Sequence, residues 1–355
     1  MRLKWLVWSK RKGLRGYRLF AISILPQWLF LLWVRRSPNY VDQFYSEGIF
    51  VWLSQLSMRL TAWASFSIGD LCYAIVLLFL LKTLVGFKRL GRRSTQIKTL
   101  GWFGFLFFLF HLQWGFNYHQ TPLSEKYNVP ASYSSEELET YTYHLIHQTN
   151  QLQEKLSKSD TVLVQVNYSH KQIFDVAIET IRKQHHYPTS NLKKSSYGLL
   201  LSYMGYGGYL NPFTLEAQVN ARQPKLRLLT TSVHEIAHQL GYAAEEEANF
   251  IAIDAALKSD NTYMKYAGYH LALGYALSEC RKRKDIDYKL IYQKMNTGVI
   301  QQYQELSSFW ERYKNPLEPL FKKSYDTYLK ANSQSAGINS YNLVLGLLLH
   351  QFQNN

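Results

Sequence analysis

A run of apolar residues long enough to cross a bilayer removes most folding options. In hydrocarbon every backbone N–H and C=O must be paired within the segment, which leaves the helix. The chain has 355 residues, and three such runs fall in its first third: 19–34, 71–87 and 99–116. The first is broken only by Pro26 and Gln27 and has Arg35 and Arg36 behind it. The second holds Lys82 as its single charge, on a stem long enough to snorkel toward the basic loop that follows. The third carries Trp102 and Trp114 near its ends, where interfacial anchors sit. A signal peptide is the rival reading of the first run, but no small-residue cleavage site follows it and further spans do. Residues 48–68 mix Trp, Phe and Leu with Ser, Gln and Arg59, so we expect an interfacial helix there, with a poor fourth span as the alternative.

A mean hydropathy of -0.24 conceals this segregation. The net charge of +15 raises the question of a nucleic-acid partner, and the placement of the basic residues answers it. Seven lie within the first eighteen positions and five between Lys88 and Lys98, so both clusters flank apolar runs. That is the positive-inside pattern and not a nucleic-acid surface. With both clusters inside, three crossings put everything after about residue 117 outside. The expected organisation is a membrane anchor over 1–116 and an extracytoplasmic domain over 117–355. In a bacterium, this is a multi-pass inner-membrane protein with a periplasmic domain. A crossing at 48–68 would reverse that orientation. The spans contain no acid pair of the kind that marks a pore or transporter. Cys72 lies in an apolar run and Cys280 in the distal domain, so neither a disulfide framework nor a thiolate zinc site is available.

Beyond Pro122 the pattern becomes polar and aromatic. Ser134 and Glu137 have capping-box spacing ahead of a helix whose apolar face includes Leu138, Tyr141, Leu145 and Leu152. Strands are expected at 161–168, 197–203 and 214–219, and a helix at 172–183 through Ile173, Val176 and Ile181. The remainder reads as helical, including a core helix at 341–349. The predicted class is α+β, mostly helical, with a small sheet. Gly205, Gly207 and Gly208 mark a turn, either a plain hairpin loop or the substrate-side rim of an active site.

His234-Glu235-Ile236-Ala237-His238 is the run that carries chemistry. Histidines four apart on a helix project from one face and can share a metal, while the glutamate between them takes a proton from the metal-bound water. Leu226, Leu228, Leu229, Val233, Ile236, Ala237 and Leu240 supply an apolar face, and Gly241 ends the helix. Two solvated histidines are the bland alternative. A catalytic zinc needs a third protein ligand and an open position. Glu245, at the head of the next predicted helix, is the first candidate and Glu247 the second. Three acids there also suit a helix N-terminus electrostatically.

With both motifs in view, the chain resembles the gluzincin metallopeptidases, in which HExxH is followed by a glutamate ligand on the next helix. The second motif of the closer, membrane-anchored members is Glu-x-x-Ala-Asp. Here it reads Glu245-Glu246-Glu247-Ala248-Asn249, with Asn249 where an aspartate usually orients a metal-bound histidine. Over its full length the chain is similar to a bacterial family of membrane-anchored proteins of unknown function that share this motif pair. Gly207 to Phe213, Glu216-Ala217, Tyr325-Asp326, Tyr328-Leu329-Lys330, Gly337 and Ser340-Tyr341 carry that likeness. The resemblance implies Zn2+ held by His234, His238 and Glu245, Glu235 as catalytic base, and Asn249 in support. It implies a hydrolase acting on a peptide or protein substrate, or a related amide, in the cell envelope. It also implies an oxyanion helper, for which Tyr203, Tyr206 and Tyr209 are candidates, and a strand at 214–219 that aligns substrate. On that strand Glu216 either recognises an amine or pairs at the surface with Arg222 or Arg227. The alternative is a zinc-binding envelope protein of little or no activity, acting in binding or assembly.

Overall fold

The computed structural model describes residues 14–85, 92–185, 191–332, 334 and 343–354. Helix α1 spans Arg15–Val34, and a π-helical stretch, Val41–Ile49, runs directly into α2, Phe50–Thr61. Helices α3, Ile68–Val85, and α4, Arg93–Gln113, follow. Among the described residues α1 is the one helix long and apolar enough to cross a membrane; the apolar part of α3, Ile68–Leu78, is shorter. Residues 86 and 87 of the second predicted run lie outside the described residues. Leu19, Ile22, Leu25, Leu71, Ile75 and Leu78 are all more than half exposed, so these helices turn their apolar side chains outward.

Helices α1 and α4 run parallel and in close contact. A Cβ on Gly101 or Gly104 would overlap the carbonyl oxygen of Tyr17 or Phe20, and Gln27 Nε2 donates to Gly104 O at 3.2 Å. Small residues at a helix crossing let backbones approach this closely. Their C-terminal ends meet in a small core of Val34, Val41, Tyr45, Phe50, Trp114 and Tyr118, which also takes in Leu215 and Ala243 of the distal part. Helix α3 points the other way, with its N-terminus against the distal part: Ile68 N and Gly69 N donate to Glu216 at 3.2 and 2.5 Å.

The stretch 42–61, which takes in α2, touches the distal part at both ends. Asp42 accepts from Thr121 N at 3.2 Å and pairs with Lys126 at 3.3 Å, while Lys193 Nζ donates to Thr61 O at 2.8 Å and Asn191 to Thr61 Oγ1. It therefore lies against the distal part. Trp52, Leu60 and Trp63 remain exposed on its other face.

The predicted capping box is present: Ser134 Oγ accepts from Glu137 N at 3.1 Å and Glu137 from Ser134 N at 2.6 Å, opening α5, Ser135–Ser157. Helix α6, His170–His185, leads to β1, Leu192–Lys194, then α7, Gly198–Met204, and strands β2, Gly208–Leu210, and β3, Ala217–Val219. The sheet order is β1-β3-β2; β3 is parallel to β1, with Leu192 opposite Ala217, and antiparallel to β2, with Tyr209 opposite Gln218. Helices α8, Lys225–Gln239, α9, Glu245–Leu257, and α10, Thr262–Cys280, form the centre, enclosed by α11, Tyr288–Gln293, α12, Thr297–Glu311, α13, Glu318–Ala331, and α14, Leu343–Asn354. Leu138, Leu145, Ile173, Leu228, Leu229, Ile253 and Leu348 belong to one continuous core. The fold is mostly helical with a small sheet.

Three strand expectations need correction. Residues 161–168 form no strand: 161–162 bend, and 163–168 carry no regular secondary structure. β-Branching straightens the backbone there, yet Val164 and Val166 tuck into the helical core and Val164 N donates to Gln302 Oε1 at 3.1 Å. Residues 197–203 fold as α7. The Leu-Leu-Leu-Ser sequence is a competent helix former, and Gly205, at φ +79°, closes it in the left-handed conformation. The strand expected at 214–219 narrows to 217–219, because Leu215 takes φ +52° and bends the chain before it. Strand β1 carried no alternation to reveal it. The expected C-terminal core helix is present as α14, with Val344, Leu345, Leu347, Leu348 and Leu349 buried. Residues 341 and 342, with Gly337 and Ser340, lie outside the described residues.

Candidate metal centre

Helix α8 begins after Pro224, whose fixed φ suits a helix entry, and stops at Gly241, at φ +101°. Leu226, Leu228, Leu229, Val233 and Ile236 are buried in the core. The opposite stripe, Arg227, Thr231, His234 and His238 at successive spacings of four, three and four, faces a cavity of about 750 Å³. Trp114, at the end of α4, closes one side with its ring edge-on to His238 at 6.0 Å.

His238 Nδ1 lies 2.6 Å from Tyr242 O, a bond that fixes the ring and turns Nε2 toward Glu245. His238 Nε2 is 3.7 Å from Glu245 Oε1, and His234 Nε2 is 3.4 Å from Glu245 Oε2. One donor atom from each of His234, His238 and Glu245 fits within a 4.8 Å span. Bonds of about 2.0–2.1 Å in a tetrahedron put ligand atoms roughly 3.3–3.4 Å apart, near the two His–Glu separations. Burial, and then the neighbouring His234, lower His238 to about 4, leaving the neutral imidazole that ligates metals. Burial alone would raise Glu245; the His234 hydrogen bond, the two imidazoles and Tyr325 outweigh it and hold it at about 2, an anion. Two imidazoles and one carboxylate are a donor set found in catalytic zinc sites.

Glu235 lies beside this triad, 3% exposed, and its Oε2 is buried with no hydrogen-bond partner among the described residues. Burial, and then the charge on Glu245, push it well above the usual carboxylate range. Its oxygen reaches the sheet only because residue 208 is glycine: a Cβ there would stand 2.5 Å from Glu235 Oε1 and 2.6 Å from Gln218 O. The glycine segment thus lines the cavity and also leads into the β2–β3 hairpin.

The second ligand candidate, Glu247, is not in the cluster. It accepts Leu123 N at 2.6 Å, and burial raises it to about 7. Asn249 lines the cavity but does not orient a histidine. Its Nδ2 donates to Glu245 O at 2.8 Å, one turn back, and His234 Nδ1 is buried with no partner among the described residues.

The three tyrosines near the glycines separate. Tyr209 donates to Asp70 of α3, Tyr206 lines the cavity with its hydroxyl 3.4 Å from Phe321 O, and Tyr203 packs outside on Tyr313. The hydroxyl that reaches the cluster is that of Tyr325 on α13, which donates to Glu245 Oε1 at 2.5 Å. Its place in the 325–330 segment was visible in the sequence; its contact with a residue 80 positions earlier was not. Glu216 performs neither expected role. It is fully buried and bound to Lys193 at 2.6 Å and to the N-terminus of α3. β3 has both edges occupied by β1 and β2, so the strand whose open edge borders the cavity is β2.

Residues 45–349 match the family described as protein of unknown function DUF3810, and the chain belongs to that family. No curated protein and no solved structure matches it.

Proposed function

We propose that this DUF3810 chain is a membrane-anchored zinc metallopeptidase of gluzincin type, hydrolysing peptide or related amide bonds outside the cytoplasm. The observation that carries the reading is the convergence of His234, His238 and Glu245 within 4.8 Å, beside a buried carboxylate with an unpartnered oxygen. His234, His238 and Glu245 would hold the zinc, which when bound supplies a Lewis acid for the scissile carbonyl and lowers the pKa of water. Glu235, with its affinity for a proton raised by burial, takes the proton of the attacking water and passes it to the leaving amine. Tyr325 donates its hydroxyl proton to Glu245 and so steadies that carboxylate. The open edge of β2 offers main-chain pairing to an extended substrate.

An anchor of three crossings with the domain outside is supported by the parallel course of α1 and α4, the opposite course of α3, and the basic residues at their far ends. The exposed Trp52, Leu60 and Trp63 suit the bilayer interface. Reporter fusions after residues 45, 95 and 125 test this arrangement.

The test of function is zinc per purified chain and hydrolysis of casein or a peptide library by wild type and Glu235→Gln. Zinc retained with equal hydrolysis defeats the peptidase reading. A zinc protein of weak activity, acting in binding or assembly, is the second reading. It is favoured by the unpartnered Nδ1 of His234 and the engagement of Asn249 elsewhere.

A further inference from the structure

The cavity extends well beyond the metal centre. Arg227 stands on the same stripe of α8 as His234, seven residues before it, and half-buried in the cavity wall. Two fixed cations line this cavity. Lys322 is paired with Glu318 at 2.6 Å, whereas Arg227 has no acidic partner among the described residues. A guanidinium in a partly buried wall retains most of its donors and loses part of its water, so it binds a carboxylate more strongly than a surface arginine does.

A second unsatisfied group lines the same cavity. His270 of α10 is 7% exposed, its ring stacked on Tyr303 at 3.9 Å, and Tyr303 Oη donates to His270 O at 2.7 Å. Its Nε2 is buried without a partner among the described residues. Burial, reinforced by the charge of Arg227, keeps the ring neutral, with its pKa lowered to about 3. A neutral imidazole can donate one hydrogen bond without adding a second charge. The acid at this end, Glu305, is exposed, accepts from Gln302 Nε2 at 2.5 Å, and lies beyond ion-pair distance of Arg227.

Resting on the peptidase reading above, we propose that Arg227 and His270 form a carboxylate-binding subsite, which selects substrates with an anionic group about three residues from the scissile bond. Seven residues of helix separate Arg227 from His234 by about 10.5 Å, and an extended peptide covers that in about three residues at roughly 3.3–3.6 Å each. The carboxylate belongs either to an acidic side chain or to a chain terminus; the chemistry recognised is the same.

The test uses binding and not turnover. Full-length Glu235→Gln protein in detergent, loaded with zinc, is titrated calorimetrically with acetylated alanine hexapeptides carrying Phe-Leu at the centre. One amidated set has aspartate or asparagine at the first or the last position; a second set, all alanine outside the centre, ends in a free carboxylate or an amide. An acidic member is expected to bind ten- to a hundredfold more tightly than its neutral twin, the range of a charge-assisted hydrogen-bonded pair. The set showing the preference identifies the source of the carboxylate. Arg227→Gln, added to the same protein, is expected to remove the preference while leaving the neutral peptides and the zinc content unchanged, and Arg227→Lys to keep part of it. Equal binding of acidic and neutral twins in both sets, including no binding of either, overturns the subsite. Failure of wild type to hydrolyse any peptide, in the separate assay, overturns the peptidase reading instead.

Discussion

Glu247→Gln separates the two acids that sequence alone offers as the third ligand. Glu247 is buried, accepts one backbone N–H from Leu123, and has its pKa raised from 4.5 to about 7, by burial first and by Glu246 and Asp42 after that. The folded protein therefore holds a proton that the unfolded chain releases above pH 4.5. Stability from this group is complete below 4.5 and is lost as pH rises through 7. A difference of about 2.5 pH units, at roughly 1.4 kcal/mol each, gives an upper bound of about 3.4 kcal/mol lost by pH 8. Glutamine keeps the oxygen that accepts from Leu123 and carries no charge, so the variant escapes this loss. For a domain of this size about 1 kcal/mol moves the midpoint by roughly 2–4 °C. The variant should melt above wild type at pH 8 by up to about 7–14 °C and level with it at pH 4.5, with zinc content unchanged. Thermal melts across that range, with metal analysis of the same samples, provide the measurement. A pH-independent difference, or loss of zinc like that of Glu245→Gln, would refute the placement of Glu247.

Other perturbations probe the remaining parts of the site. Gly208→Ala puts a methyl group 2.5 Å from Glu235 Oε1 and should lower hydrolysis at least ~10-fold with zinc retained; unchanged turnover would mean that Glu235 is not held against the sheet. Tyr325→Phe removes the donor to Glu245 and should weaken zinc affinity about tenfold in a chelator competition. Asn249→Asp exchanges a donor to Glu245 O for a carboxylate able to accept from His234 Nδ1, and should raise the turnover rate several-fold, roughly 1 kcal/mol of barrier. A fall in turnover would show the asparagine to be the better partner for this site.

Much of the local structure was legible from spacing. The Ser134–Glu137 box, the α8 face with its histidines, the stop at Gly241 and the core pattern of α14 involve residues within a turn or two of each other, where periodicity and capping rules apply directly. Glu245 was legible for the same reason, since the turn after α8 is short. Tertiary contacts decided the rest. Glu216 became a buried anchor for α3 because Lys193 and the Ile68–Gly69 backbone, far away in sequence, surround it. Tyr325 entered the site through packing of α13, and residues 161–168 formed no strand because Val164 and Val166 pack into the helical core, where Gln302 takes the Val164 N–H. The apolar runs and the His-Glu-x-x-His motif follow from composition and short-range order, which the chain carries in any conformation. Which carboxylate is orphaned, which hydroxyl reaches Glu245 and which strand edge stays open are set by long-range packing, which exists only once the chain has folded.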